Sequence, residues 1–226
     1  MTPNKEDYLK IIFELGGDAK KVTNKEILAG LNVSAASVTE MVNKLVKENY
    51  VNHTPYQGIQ LTSEGAREAA LLVRNHRLWE VFLVDKLHYQ FNTVHPEAEQ
   101  LEHVTNHDLA ERLADFLGHP KRCPHGGIIP NAKGEFEQQS HHALVDLEVG
   151  EKAVIERVLD DNDLLKYTLE IGLTVGDTVT LTKVGLFESP ITVMDETQQT
   201  EIQVGIKAAQ HIFVTPIATR LIKKVV

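Results

Sequence analysis

The sequence has one cysteine, Cys123, so no internal disulfide can brace the fold. It has no apolar run near the roughly 18 residues that a membrane-spanning helix requires. Its first ten residues, Met1 to Lys10, carry Glu6 and Asp7 and no apolar segment, which is not the pattern of a signal peptide. No internal repeat or low-complexity tract stands out. The His-Glu-x-x-His pattern of zinc peptidases is missing, as is any nucleophile motif, so hydrolytic chemistry has no starting point here. These absences describe a soluble, cytoplasmic chain with no membrane partner. Its 226 residues, 42% of them hydrophobic, suit one large domain or two to three small ones with real cores.

A surplus of positive charge is also lacking: the formal net charge is −9. Its distribution is uneven. Residues 1–75 hold nine Lys/Arg and nine Asp/Glu, whereas residues 76–226 hold 14 basic and 23 acidic residues. A nucleic-acid-binding role for the first third therefore needs help, from a bound cation or from a dimer that doubles the contacts.

What is present begins with helix signals. Residues 4–16 place Tyr8, Ile11, Ile12 and Leu15 on one helical face before Gly16-Gly17. Thr23 and Glu26 form a capping-box pattern at the start of a short helix over 24–31. Asn32 and Val33 connect it to a third helix, capped by Ser34 and reaching about Asn49. Two helices joined by so short a turn make a helix-turn-helix. Strands at Tyr50–His53 and Ile59–Leu61, around a turn at Pro55–Gly58, supply a wing. A long helix follows over 63–88, and the spacing then predicts a single helix from Pro96 to Gly118. The apolar face of that helix is Leu101, Val104, Leu109, Leu113 and Phe116/Leu117, and this surplus of apolar surface suits a dimer interface.

Residues 119–142 read as an irregular linker ending in a polar tract, Gln138–His142. Beyond it the texture is β-rich, with strands at Ala153–Leu159, Thr178–Val184, Thr192–Met194 and Ile212–Val214 and a helix near 162–171. That is the pattern of a small SH3-type barrel. The final segment, Thr219–Val226, gives no reading.

The third helix opens Ser34-Ala35-Ala36-Ser37-Val38-Thr39-Glu40. In a helix-turn-helix these N-terminal residues reach base edges, and small ones let the helix lie deep in the major groove. Ser34, Ala35, Ala36, Ser37, Thr39 and Glu40 are the candidate readers of double-stranded DNA, with Lys44 and Lys47 for the flanking phosphates. The same pattern also serves a merely capped helix in a small domain; the wing that follows favours DNA.

Seven of the 11 histidines lie in residues 76–125, together with the only cysteine. Glu99, Glu102 and His103 stand at i, i+3 and i+4, with His95 a turn upstream, and His76 and Glu80 form an i, i+4 pair on the preceding helix. Helices that present carboxylate and imidazole to one another are how bundles hold metal ions. Such a pair also occurs on solvated faces, and Cys123 and His125 alone are a weak signal, so the spacing leaves both readings open.

Five motifs carry a resemblance to a known family. They are Glu6-Asp7-Tyr8-Leu9-Lys10, Ser34 through Glu40, His76-Arg77-Leu78-Trp79-Glu80, His95 through His103, and Cys123-Pro124-His125-Gly126. With the Val175-Gly176-Asp177 strand entry, they cover essentially the whole chain. The chain resembles the metal-dependent repressors of the diphtheria-toxin-repressor type, in particular their manganese-responsive branch. The resemblance implies a mainly α fold with a small β domain. A winged helix-turn-helix would span 1–73, a helical dimerisation and metal-binding domain with linker 74–142, and an SH3-like, FeoA-type domain 143–226.

It also implies a homodimer on operator DNA that governs metal-uptake genes, with no small-molecule substrate and no enzymatic activity. One metal site would use Asp7, Glu99, Glu102 and His103, with Cys123 as an optional further ligand. A second would use His76, Glu80 and either His95 or the pair His125 and Asp160. Iron-type members have sulfur donors where this chain has Asp7 and Glu99, and carboxylate in their place favours the harder Mn²⁺. Fe²⁺ is the alternative, and Zn²⁺ or Cd²⁺ would bind in vitro. Two positions depart from the family. Lys10 stands where relatives with paired manganese ions have a carboxylate, which favours separate sites, and Ala35 stands where a proline is common. Against this reading stand a winged-helix regulator answering a small molecule, and a metal-dependent hydrolase.

Overall fold

The computed structural model describes residues 1–31, 33–91, 93–136, 140–187 and 189–217. Asn32, Gln138 and Thr219–Val226, touched by the expectations above, lie outside them. The chain forms two compact units. The first runs to Pro124 and resumes at Ile128; the second takes His125–Gly127 and the described residues from Ser140 onward.

In the first unit, helix α1 (Pro3–Glu14) starts with proline at its first turn, where a missing N–H costs nothing. It buries Tyr8, Leu9, Ile11, Ile12 and Phe13, and Gly16 in the left-handed region ends it. Helix α2 (Asn24–Leu31) carries the expected capping box: the Glu26 N–H donates to Thr23 Oγ1 and the Thr23 N–H to Glu26 Oε2. Helix α3 (Ala35–Lys47) is capped by Ser34, which accepts from the Ser37 N–H. Strands β1 (Val51–Thr54) and β2 (Gly58–Leu61) pair antiparallel as the wing, and Val22 bridges to Ile59 from outside.

Helix α4 (Ser63–Leu87) begins where the wing ends. Thr62 caps it and also donates from its hydroxyl to the Asn49 carbonyl. Gly65 lies so close to the wing that a Cβ there would sit 1.9 Å from the Tyr50 carbonyl oxygen. No side chain fits that space.

The single helix expected over 96–118 is two: α5 (His95–Glu102) and α6 (His107–Phe116). Asn106 restarts the chain by accepting from the Leu109 N–H, and Asn75 of α4 donates to the Thr105 carbonyl freed at the break. Local hydrogen bonding thus overrides an apolar periodicity that runs through. Val104, on the apolar face expected to serve a dimer interface, is 75% exposed. Part of the expected linker is also firmly held: the Arg74 and Arg77 guanidinium groups donate to the carbonyls of Pro130 and Ile128.

The second unit is a five-stranded antiparallel sheet in the order β6-β5-β4-β3-β7. Its strands are β3 (Lys152–Val158), β4 (Thr178–Lys183), β5 (Ile191–Asp195), β6 (Thr200–Val204) and β7 (Ile212–Pro216). Helix α7 (Asn162–Glu170) is capped by Asp161, and a one-turn α8 (Ile206–Ala209) precedes β7. Strand β6 was not expected, because only Ile202 and Val204 mark its inner face. Gly126 packs against β3 here; its φ of +85° and the Glu156 carbonyl, 2.1 Å from a would-be Cβ, require glycine.

Gly65→Ala should force β1 and α4 apart and lower stability by about 1–3 kcal/mol, measured by urea unfolding. An unchanged midpoint would mean that the wing yields freely at Tyr50.

Candidate metal centre

Three helices of the first unit converge. Helix α1 brings Glu6, Asp7 and Lys10 on one face, α4 brings His76 and Glu80, and α5 brings His95, Glu99 and Glu102 and ends at His103. The break after α5 matters here, because it makes His103 a C-cap whose ring is aimed at α1.

Asp7, Glu102 and His103 each offer one donor atom, all within 4.8 Å of one another. His103 Nε2 lies 3.1 Å from Asp7 Oδ1 and 3.7 Å from Glu102 Oε1. Its other nitrogen, Nδ1, is 2.6 Å from Glu6 Oε2. A carboxylate on the far nitrogen fixes ring orientation, the usual support of a metal-binding imidazole. Glu6 was missed as a site residue because an acid in the first turn of a helix reads as a macrodipole partner.

A second group forms beside the first from His76, Glu80 and His95, again within 4.8 Å. His76 Nε2 is 3.0 Å from Glu80 Oε1 and 3.1 Å from His95 Nδ1. Between the groups lies Lys10, whose Nζ donates to both Glu102 oxygens, at 2.7 and 3.0 Å, and stands 3.0 Å from His76 Nδ1. His76 Nδ1 also contacts Glu102 Oε2.

The Glu99 carboxylate is half exposed and 3.9 Å from His95, and is not one of the three donors around His103. Cys123 is not there either. It is buried in the core of Leu78, Val81, Ala110, Leu113 and Ile129, with Sγ within 4.8 Å of a Glu80 oxygen. His125 and Asp160 belong to the second unit, where their side chains pair at 3.1 Å.

The electrostatics suit a cation. Burial raises the pKa of Asp7, and Glu99 and Glu102 push it the same way, against His103 and Lys10. Asp7 Oδ1 is buried and makes no hydrogen bond. Crowded carboxylate oxygens with imidazole nitrogen and no sulfur form a donor set for a hard or borderline divalent ion, so the residues fit a metal.

On α3, Ser34, Ala35, Ala36, Ser37, Thr39, Glu40, Lys44 and Lys47 are all exposed, opposite the buried Val38, Met41, Val42 and Leu45. Glu40 pairs with Lys44 at 2.7 Å, which removes one repulsive charge from the face.

Three family patterns match in sequence. The N-terminal DNA-binding domain of the iron-dependent repressors covers residues 1–59, their metal-binding and dimerisation domain 62–131, and the FeoA domain 142–216. The diphtheria toxin repressor of Corynebacterium glutamicum is 30% identical over 171 residues, 73% of this chain and 74% of the relative. The chain belongs to the family of diphtheria-toxin-type, metal-dependent repressors.

The repressor is similar in structure to the manganese regulator SloR, with a TM-score of 0.81 and 39% identity over 96% of this chain and 100% of that one. It is also similar to ScaR with bound Zn²⁺, with a TM-score of 0.79 and 40% identity over 95% and 100%. This family repressor is therefore a metal-dependent, DNA-binding regulator of transcription in metal homeostasis, and not an enzyme. Its domains are for operator DNA and for a homodimer. Among its described residues no helix is long and apolar enough to cross a membrane.

The site gives the metal-free repressor a pH signature. Burial and Lys10 disfavour a charged His76, but Glu80, Glu102 and the hydrogen bond to Glu102 prevail and raise its pKa from 6.5 to about 9. Burial works against a charged Glu102, but Lys10 and His76 prevail and lower its pKa from 4.5 to about 2. The His76 contribution is complete below pH 6.5 and is lost as pH climbs through about 9, while that of Glu102 is complete above pH 4.5 and is lost towards about 2. Urea unfolding in chelator should show stability falling from pH 6.5 to 9, with a flatter slope in His76→Asn. An identical slope in the variant would assign the pH dependence to other groups.

Proposed function

We propose that the repressor senses Mn²⁺, with Fe²⁺ as the competing physiological ion, and that metal ties its DNA-binding region to its dimerisation helices. The observation that carries this is the origin of the donors. Asp7 lies on α1, within the DNA-binding match at residues 1–59, whereas Glu102 and His103 lie in the metal-binding and dimerisation match at 62–131. Working boundaries of 1–73, 74–142 and 143–226 follow these roles.

Asp7, Glu102 and His103 would hold the ion, and Glu99, one turn before His103, would join through its exposed carboxylate. His76, Glu80 and His95 form the second group. A bound ion supplies positive charge that lets these carboxylates stand together. Without it, Asp7 and Glu102 share no ion, and α1 is held to α5 by ion pairs such as Lys10–Glu102. Holding α1 steadies α3 in the same domain, which presents Ser34–Glu40 to the bases and Lys44 and Lys47 to the phosphates. In the homodimer two such helices must meet major grooves about 34–36 Å apart. Carboxylate donors in place of sulfur favour Mn²⁺ over softer ions, and metal-uptake genes are the targets that such control implies.

The test is fluorescence anisotropy on metal-transporter promoter DNA, titrated with Mn²⁺, Fe²⁺, Zn²⁺ and Cd²⁺ and reversed with chelator. Mn²⁺ should tighten DNA binding by about 5- to 150-fold, and His103→Ala should abolish that gain while leaving weak metal-free binding. Equal affinity with and without metal would defeat the sensor reading.

A further inference from the structure

Lys10 is a charged side chain that neither DNA binding nor metal ligation uses, yet it sits at the centre of the donor atoms. It is 9% exposed. Its ammonium bonds both oxygens of Glu102, a member of the first donor group, and lies 3.0 Å from His76, a member of the second. A buried ammonium is costly unless carboxylate surrounds it. Here Glu102 is fully buried, and an Asp7 oxygen lies within 4.8 Å of one of its own. The place is one where positive charge is wanted, and the chain supplies that charge itself.

We propose that Lys10 is a built-in cation that competes with the metal ion for Glu102 and so sets the metal concentration at which the repressor switches on. The inference rests on the metal-sensing reading above. Two effects follow from one contact. Without metal, Lys10 ties α1 to α5 and neutralises Glu102, so the repressor stays folded and ready. With metal, whichever Glu102 oxygen the ion takes must be shared with or taken from the ammonium, while a fixed positive charge a few ångströms away repels the incoming ion. Lys10 thus stabilises the empty site and weakens the filled one. A residue with a purely structural role would do otherwise, since its loss would weaken both states.

The experiment compares the full-length repressor with Lys10→Gln and Lys10→Arg. Mn²⁺ affinity is read by titration calorimetry, and metal-free melting temperature by circular dichroism. Lys10→Gln should melt several degrees lower without metal yet bind Mn²⁺ at least about tenfold more tightly, the direction expected when a like charge is removed from a buried site. Lys10→Arg keeps the charge and should stay within a few-fold of the unaltered protein. Wild-type or weaker Mn²⁺ affinity in Lys10→Gln would overturn the proposal. If Lys10→Gln does not fold without metal, refolding on addition of Mn²⁺ supports the proposal, and failure to refold overturns it. Failure of the sensor reading itself is distinguishable, because the unaltered protein would then show no Mn²⁺-dependent gain in DNA binding.

Discussion

A carboxylate shut away from water must be held by positive charge, and Glu102 is held by Lys10 and His76 from two other helices. This contact joins α1, α4 and α5 at one point. The pattern repeats elsewhere in the first unit: buried Arg77 pairs with buried Glu14, and Arg74 with Glu111. Ion pairs of this kind add little net stability over well-packed apolar groups, but breaking one leaves an uncompensated charge. They act chiefly to define position. Apolar packing brings the helices together, and the buried charges decide their register, which is what converging donor atoms need.

The DNA face follows a different logic. The exposed side of α3 is nearly neutral, with small side chains, and its one acid in the opening turns is answered by Lys44. With basic and acidic residues balanced over 1–75, attraction for phosphate is modest and has to come from helix amides and paired copies. Such a protein has reason to depend on a metal for tight binding, because its own charge does not secure it.

Local signals made the first third of the chain legible. Thr23 with Glu26 and Ser34 are caps that act within four residues, and the wing turn is equally local. What was missed depends on distant partners. The break between α5 and α6 follows from Asn106 capping and from Asn75 reaching the Thr105 carbonyl; the apolar spacing through Val104 gives no hint of it. Strand β6 carries too few apolar residues to show a period. The pair His76/Glu80 and the set Glu99, Glu102 and His103 could be picked out by helical spacing, but the burial of Lys10 and the support from Glu6 could not. Both arise only when helices about 65 to 100 residues apart in sequence are packed together.

Helix α4 couples two regions by its stiffness alone. Gly65, in its first turn, is pressed against the Tyr50 carbonyl, and His76 stands eleven residues further along the same rod. That separation is about 16 Å along the axis. A tilt of about 5° pivoting near His76 would move the wing end by about 1.4 Å, enough to make or break a hydrogen bond to a phosphate. With no side chain at Gly65 to cushion the contact, the wing takes up that displacement almost undiminished. Such a tilt would make the long helix a lever arm with its fulcrum among the buried charges and its load at the wing.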